Sequence, residues 1–216
     1  MVRVKAALKQ ARLYLVLDRQ VADYSRLDKI LKAAVRGGVD IVQLRDKVGS
    51  DRDTISFLRS ALKFLNGKVP LIINDRLDLA VICQTQGVHL GQEDIPIEEA
   101  RRILDKQAII GVSCQTLSQA KSAQNAGADY IGFGSVFKTM TKPSRLPMDL
   151  KRLNLATQKI KIPVFFIGGI NQKNLPGLMK HGVKRVAVTR AISFADDVCR
   201  ASRDFQRILG LRGLSL

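Results

Sequence analysis

Short apolar runs recur along the chain at Leu13 to Leu17, Asp40 to Leu44, Leu71 to Asn74, Gly87 to Leu90, Ala108 to Ser113, Asp129 to Gly134, Pro163 to Gly168 and Arg185 to Thr189. Each has the length of a strand, and their near-continuous hydrophobicity implies burial on both faces, as in a parallel sheet covered by helices. Between most of them lie stretches of helical period. Leu27, Ile30, Leu31, Ala34 and Val35 fall on one face of a helix, as do Ile55, Leu58, Leu62 and Leu65. Eight strand segments alternating with helices favour closure into a (β/α)8 TIM barrel over an open sheet. The tightest crossover joins the third and fourth strands, where Arg76 to Gln86 must hold a whole helix built on Leu77, Ala80, Val81 and Ile82.

A punctuation supports this order. Gly38-Val39-Asp40, Gly87-Val88-His89, Gly127-Ala128-Asp129 and Gly182-Val183-Lys184 each stand between a helix and the next strand, where glycine serves as a left-handed helix cap. These glycines mark the bottom of the barrel, so the chemistry is sought at the opposite, C-terminal ends of the strands.

The 216 residues suit one barrel domain, since such barrels routinely run to about 200–250 residues as a single unit. Composition is that of an ordinary globular chain, without low-complexity tracts. The segment Met1 to Gln20 offers only Leu13 to Leu17 as an apolar run, too short for a signal-peptide core or a membrane span, and the expectation is a cytoplasmic protein. Three cysteines, Cys83, Cys114 and Cys199, without CxxC spacing support neither a disulfide framework nor a zinc site. The balance of 36 Lys and Arg against 19 Asp and Glu gives +17, a field that attracts anions. The basic residues are dispersed and almost free of interleaved aromatics, which favours a solvated basic surface over a nucleic-acid groove.

At the strand ends, the two-residue period sends Gln43 and Arg45 to one face, with Lys47 following if the chain stays extended. A Gln and an Arg pointing into a barrel need polar partners, which a bound diphosphate supplies. Asn74-Asp75 ends the third strand, and the fourth runs into His89-Leu90-Gly91-Gln92-Glu93-Asp94. Asp75 and Asp94 could share a Mg²⁺, which takes one or two carboxylates and fills its shell with water and phosphate oxygens. Glu93 is another candidate ligand, and Asp94 could equally cap the helix that opens at Pro96, Glu98 and Glu99. His89 reads as satisfied locally. Ser113 and Thr116 could bind phosphate or cap the next helix. Cys114 has no base tied to it and makes a poor nucleophile. The loop from Lys138 to Met148, with Thr139, Met140, Thr141 and Lys142, has the length and polarity of a functional lid. Gly168-Gly169 and Thr189-Arg190 end the last two strands, where phosphate-binding barrels commonly hold the anion.

Taken together, Gln43-Leu44-Arg45-Asp46-Lys47, Ile73-Asn74-Asp75, Gly87 to Asp94, Gly111-Val112-Ser113, Thr139-Met140-Thr141-Lys142-Pro143 and Ile167-Gly168-Gly169-Ile170 closely resemble the thiamine-phosphate synthase family over nearly the whole chain. The resemblance implies a transferase that joins an aminopyrimidine diphosphate to a thiazole phosphate with Mg²⁺. By it, Gln43, Leu44, Arg45, Asp46, Lys47, Asn74, Ser113 and Lys142 hold the pyrimidine diphosphate, with Arg45, Lys47, Ser113 and Lys142 acting in catalysis. Asp75 and Asp94 bind the metal, while Thr139, Met140, Thr141, Gly169, Thr189 and Arg190 hold the thiazole phosphate. A homodimer is a further family-level expectation. The chain departs from the family at Arg190, where a small Ser is usual, at Cys114-Gln115, where Thr-His is usual, and at Lys138, where Pro is usual. A thiazole tautomerase on the same fold is the nearest alternative, although it has no use for the diphosphate set. A sugar-phosphate isomerase ranks behind it for want of an assignable acid and base, and RNA binding through the surface charge is a distant reading.

Overall fold

The computed structural model describes residues 2–139 and 147–210. Its eight strands are all parallel and close in sequence order, the first pairing with the last. They are β1 (Leu13–Asp18), β2 (Ile41–Arg45), β3 (Leu71–Asn74), β4 (Gly87–Leu90), β5 (Ile109–Cys114), β6 (Tyr130–Gly134), β7 (Val164–Ile167) and β8 (Val186–Val188). Each lies within two residues of the run that announced it. The helices are α1 (Val2–Gln10), α2 (Tyr24–Arg36), α3 (Asp51–Leu65), α4 (Leu77–Cys83), α5 (Ile97–Ile103), α6 (Leu117–Asn125), α7 (Leu150–Lys159), α8 (Leu175–Met179), α9 (Arg190–Ser193) and α10 (Val198–Ile208). The short crossover expected between the third and fourth strands is present as α4.

Alternation along the strands divides the buried residues into two sets. Leu13, Leu15 and Leu17 of β1, Val42 and Leu44 of β2, and Phe133 and Phe166 point outward and pack under the helices. Tyr14, Ile41, Ile72, Ile109, Tyr130, Phe165 and Ala187 point inward and fill the barrel. Leu8 and Ala11 join this inner set, so α1 and the turn after it plug the bottom of the barrel. The strand and helix pattern began only at Leu13 and did not include α1, a short helix that mixes Val2, Val4, Ala6, Ala7 and Leu8 with basic residues.

The glycine punctuation divides into two devices. Gly38, Gly127 and Gly182 have φ of 93°, 94° and 80° and serve as the left-handed caps expected of them. Gly87 does not: it lies inside β4, where a Cβ would come within 2.0 Å of the Ile109 carbonyl oxygen. The left-handed cap there is Gln84, with φ of 55°. The aspartates that follow two of the caps also work at the bottom of the barrel. Asp40 accepts the N–H groups of Arg12 and Leu13, each at 2.9 Å, and Asp129 accepts that of Ile110 at 2.8 Å.

At Gly111, a Cβ would meet Tyr130 ring atoms at 2.0 and 2.2 Å and its hydroxyl at 2.4 Å, so this inward position must stay empty for the tyrosine to cross the barrel. Gly111→Ala is expected to lower stability by about 1–3 kcal/mol through overpacking. Gly177→Ala in α8, where nothing lies within 4 Å, should be neutral or stabilising by about 0.4–1 kcal/mol. Urea denaturation of the two variants checks this, and equal losses would contradict it.

Candidate active site

Above the aromatic plug, the inward positions turn polar. Gln43 and Arg45 of β2, Asn74 of β3, His89 of β4 and Ser113 of β5 line a cavity of about 290 Å³ at the C-terminal ends of the strands. Its floor is Tyr14, Tyr130 and Phe165, packed edge-to-face with ring centroids 5.4–5.6 Å apart. The far wall is Lys138, Thr139, Gly168, Gly169, Thr189 and Arg190. Gln43, Arg45, Asn74, Ser113, Thr139, Gly169, Thr189 and Arg190 thus line one space, the first two brought there by the two-residue period of β2. Met140, Thr141 and Lys142 lie outside the described residues.

Two members of the Gln43 to Lys47 segment face elsewhere. Leu44 is fully buried against the helices. Asp46 shapes the loop after β2: its carboxylate accepts the N–H groups of Val48 and Gly49 at 2.9 and 2.7 Å, as well as the Tyr24 hydroxyl and that of Thr54. Burial opposes its ionisation, but these hydrogen bonds, led by that of Tyr24, outweigh it and hold the carboxyl below its ordinary 3.8. Burial and Asp46 in turn push the Tyr24 phenol up to about 12.

Arg45 is aimed by a residue that drew no attention in the sequence. Asp18, at the end of β1 and fully buried, accepts from Arg45 Nη1 at 2.8 Å, and Gln20 accepts from the same nitrogen at 2.9 Å. The guanidinium is thereby held at the cavity wall rather than free to wander.

The extended conformation ends at Arg45, and Lys47, in the bend beyond it, does not line the cavity but turns to Asp75, with its Nζ 2.5 Å from Asp75 Oδ2. Asp75 has φ of 61°, a left-handed conformation uncommon outside glycine. Its N–H donates to the His89 carbonyl oxygen at 2.8 Å, tying the ends of β3 and β4 together. Asp94 comes back to meet it: the two carboxyl groups share a hydrogen bond, and Asp94 also accepts the Gly91 N–H at 2.5 Å. The helix-capping alternative for Asp94 therefore fails, since the N-cap of α5 is Pro96 and no side chain caps that helix. Glu93 is exposed. Burial works against ionising Asp75, but Lys47 and the hydrogen bond with Asp94 outweigh it and lower its pKa. Burial and the same hydrogen bond raise that of Asp94. Two adjacent carboxyl groups form a donor pair that a divalent cation fits, with the remaining positions left to water and phosphate. Among the described residues no group of three or more His, Cys, Asp or Glu side chains could hold a metal.

The opposite wall is backbone-rich. Gly168 and Gly169 have φ of 108° and 64°, and a Cβ on Gly169 would come within 2.7 Å of the Lys138 carbonyl oxygen. The turn after β7 therefore packs directly on the loop after β6. Arg190 opens α9, with its guanidinium 5.2 Å from the centre of the Phe194 ring. Cys114 points to the outer side of β5, buried, with its thiol pushed up to about 12 by burial. It offers no nucleophile.

Tyr14 and Tyr130 were not legible as site residues. Both sit in apolar runs, and only their inward parity separates them from core. Their hydroxyls bond one another at 2.8 Å, and Tyr130 reaches His89 Nδ1 at 2.9 Å. His89 is thus satisfied, as expected, but across the barrel rather than locally.

A family model described as thiamine monophosphate synthase matches residues 13–192. The thiamine-phosphate synthase of Clostridium acetobutylicum is 40% identical over 191 residues, 87% of this chain and 89% of that protein. That of Clostridium novyi is 41% identical over 199 residues, 91% of this chain and 98% of that protein. Among solved structures, a thiamine phosphate pyrophosphorylase from Pyrococcus furiosus matches with a TM-score of 0.83 at 32% identity, over 97% of this chain and 98% of that one. A 3-hexulose-6-phosphate synthase from Salmonella typhimurium, at a TM-score of 0.70 and 16% identity over 92% of this chain and 98% of that one, shares the fold.

The Asp46 cluster yields a prediction about acid stability. A carboxyl whose folded pKa is depressed contributes stability above its unfolded pKa and loses it as pH falls through the folded value. Asp46→Asn should therefore be less stable than the parent at about pH 7, and the gap should be narrower at about pH 3. Urea denaturation at both pH values checks this; a gap undiminished in acid would show that Asp46 acts through something other than its charge.

Proposed function

The chain belongs to the thiamine monophosphate synthase family, and from that premise we propose how this barrel performs the family's reaction. The protein is a thiamine-phosphate synthase, a transferase that condenses 4-amino-2-methyl-5-hydroxymethylpyrimidine diphosphate with thiazole phosphate to give thiamine phosphate and pyrophosphate. The tautomerase alternative gains no support from relatives named as synthases.

The pyrimidine diphosphate occupies the side of the cavity formed by Gln43, Arg45, Asn74 and Ser113, with Lys47 and Lys142 at its diphosphate. The supporting observations are that Arg45, held on Asp18, lines this side of the cavity and that Lys47 is held on Asp75, next to Asn74 at the end of β3. Asp75 and Asp94 hold Mg²⁺, which when bound helps neutralise the departing pyrophosphate. In the dissociative step the bond between the pyrimidine methylene carbon and the diphosphate oxygen breaks, and its electron pair leaves on the oxygen. Electron release from the aminopyrimidine stabilises the cation, and the thiazole nitrogen lone pair forms the new carbon–nitrogen bond. Arg45 and Lys47 stabilise the charge that develops on the leaving group, and no protein nucleophile takes part.

The thiazole phosphate lies against the opposite wall, its phosphate at Gly169, Thr189 and Arg190 and its ring toward the Thr139 to Thr141 segment. Support for this comes from the tight Gly168-Gly169 turn and the adjacent Arg190 on one side of the same cavity. Arg190, where the family pattern has a small residue, supplies a guanidinium suited to phosphate. The two substrates thus meet over the aromatic floor with their anionic groups apart. A cytoplasmic location and a homodimer are family-level parts of this reading; among the described residues no helix is long and apolar enough to cross a membrane.

The test is to incubate the protein with both substrates and Mg²⁺ and follow thiamine phosphate, with Asp75→Ala/Asp94→Ala alongside. Metal-dependent product is expected, with a loss on the order of 10²-fold or more in the double variant. Product formation indifferent to both the variant and a chelator would remove the metal assignment, and no product at all would remove the mechanism.

A further inference from the structure

The hydrogen bonds beneath the cavity form one continuous chain. Gln43 Nε2 donates to the Tyr14 hydroxyl at 2.8 Å, and the Tyr14 and Tyr130 hydroxyls are 2.8 Å apart. The Tyr130 hydroxyl lies 2.9 Å from His89 Nδ1, and His89 Nε2 lies 2.9 Å from Ser113 Oγ. The first four members are buried, and Ser113 faces the cavity. The barrel is shaped around this chain. Gly111 leaves room for the Tyr130 ring, and a Cβ on Gly132 would come within 3.0 Å of His89 Cε1.

Proton counting gives the chain a direction. Each phenol has one proton to donate, and burial pushes both phenols above their ordinary range, so both stay protonated. Tyr14 already accepts from Gln43, so its own proton goes to Tyr130. The Tyr130 proton then goes to His89 Nδ1, which must offer a lone pair. The imidazole proton is left on Nε2, where it donates to Ser113 Oγ. The Ser113 proton is the one that remains for the cavity.

We propose that Tyr14, Tyr130 and His89 are positioning residues that fix the Ser113 hydroxyl as a hydrogen-bond donor toward an acceptor atom of the bound pyrimidine diphosphate. This rests on the reading of Ser113 as part of the pyrimidine side. Were the Gln43 amide turned to accept from Tyr14, the whole chain would reverse and Ser113 would spend its proton on His89. The two directions therefore predict opposite imidazole tautomers in the substrate-free protein.

The chain contains only two histidines, His89 and His181, so long-range proton–nitrogen correlation NMR of the histidine-labelled full-length protein can read the tautomer. His181→Gln assigns the signals. The expected result is a neutral His89 with its proton on Nε2. Tyr130→Phe keeps the ring and removes the donor to Nδ1. It should raise the Nδ1–H population and lower kcat/KM for the pyrimidine diphosphate about tenfold, the effect of losing one oriented hydrogen bond, with KM for thiazole phosphate unchanged. Tyr14→Phe, one link further away, should move both readouts the same way by less. A wild-type His89 protonated on Nδ1, or kinetics unchanged in Tyr130→Phe with the fold intact by thermal melting, overturns the proposal. A wild-type protein that makes no thiamine phosphate but carries the Nε2 proton would instead overturn the functional reading and leave the direction of the chain standing.

Discussion

The constraint on which this structure depends is the filling of a closed parallel barrel by alternate residues. Eight strands send every second side chain into one narrow interior, and that interior must be packed without voids at the bottom and opened at the top. Leu8, Ala11, Ile41, Ile72 and Ile109 do the first. The change to Gln43, Arg45, Asn74, His89 and Ser113 one step higher does the second. Tyr14 and Tyr130 form the boundary layer, apolar in body and polar at the tip. Their hydroxyls take up polar groups that would otherwise be buried without partners. The same layer is thus both the top of the core and the floor of the site.

Charge is organised on this floor by pairing rather than by accumulation. The surface carries a large positive excess, but two cations at the ends of the strands are held by carboxylates: Arg45 by Asp18 and Lys47 by Asp75. Each pair fixes a long side chain in advance, which lowers the reorganisation needed when an anion arrives. A reaction in which pyrophosphate departs from a stabilised carbocation asks for such held charges and for alignment of two substrates. It asks for no nucleophile, and the buried, unreactive Cys114 is in keeping with that.

Much of this was legible in the sequence because it depends on period and position. Parallel strands buried on both faces leave continuous apolar runs, and the period of two then sorts Gln43 and Arg45 from Leu44 without a structure. What was not legible depends on contacts between distant segments. Asp18 looks like the polar end of a strand until Arg45 is seen to reach it. The choice between cap and carboxylate pair at Asp94 is made by the return of its loop onto Asp75, which no local pattern encodes. Tyr14 and Tyr130 are tyrosines in apolar strands, and only their shared inward parity, with Gly111 opposite, could have marked them. Gly87 shows the reverse error: the punctuation was real, but its glycine answers to the crowded interior instead of to a helix cap.

The most direct test of the account is a crystal structure of the protein with thiamine phosphate, pyrophosphate and Mg²⁺. The account predicts pyrophosphate between Arg45, Lys47 and the metal held on Asp75 and Asp94, with the thiazole phosphate at Gly169 and Arg190 and the pyrimidine above Tyr14 and Tyr130. Pyrophosphate bound at the Gly168-Gly169 turn, or a metal held away from the two carboxylates, would contradict it.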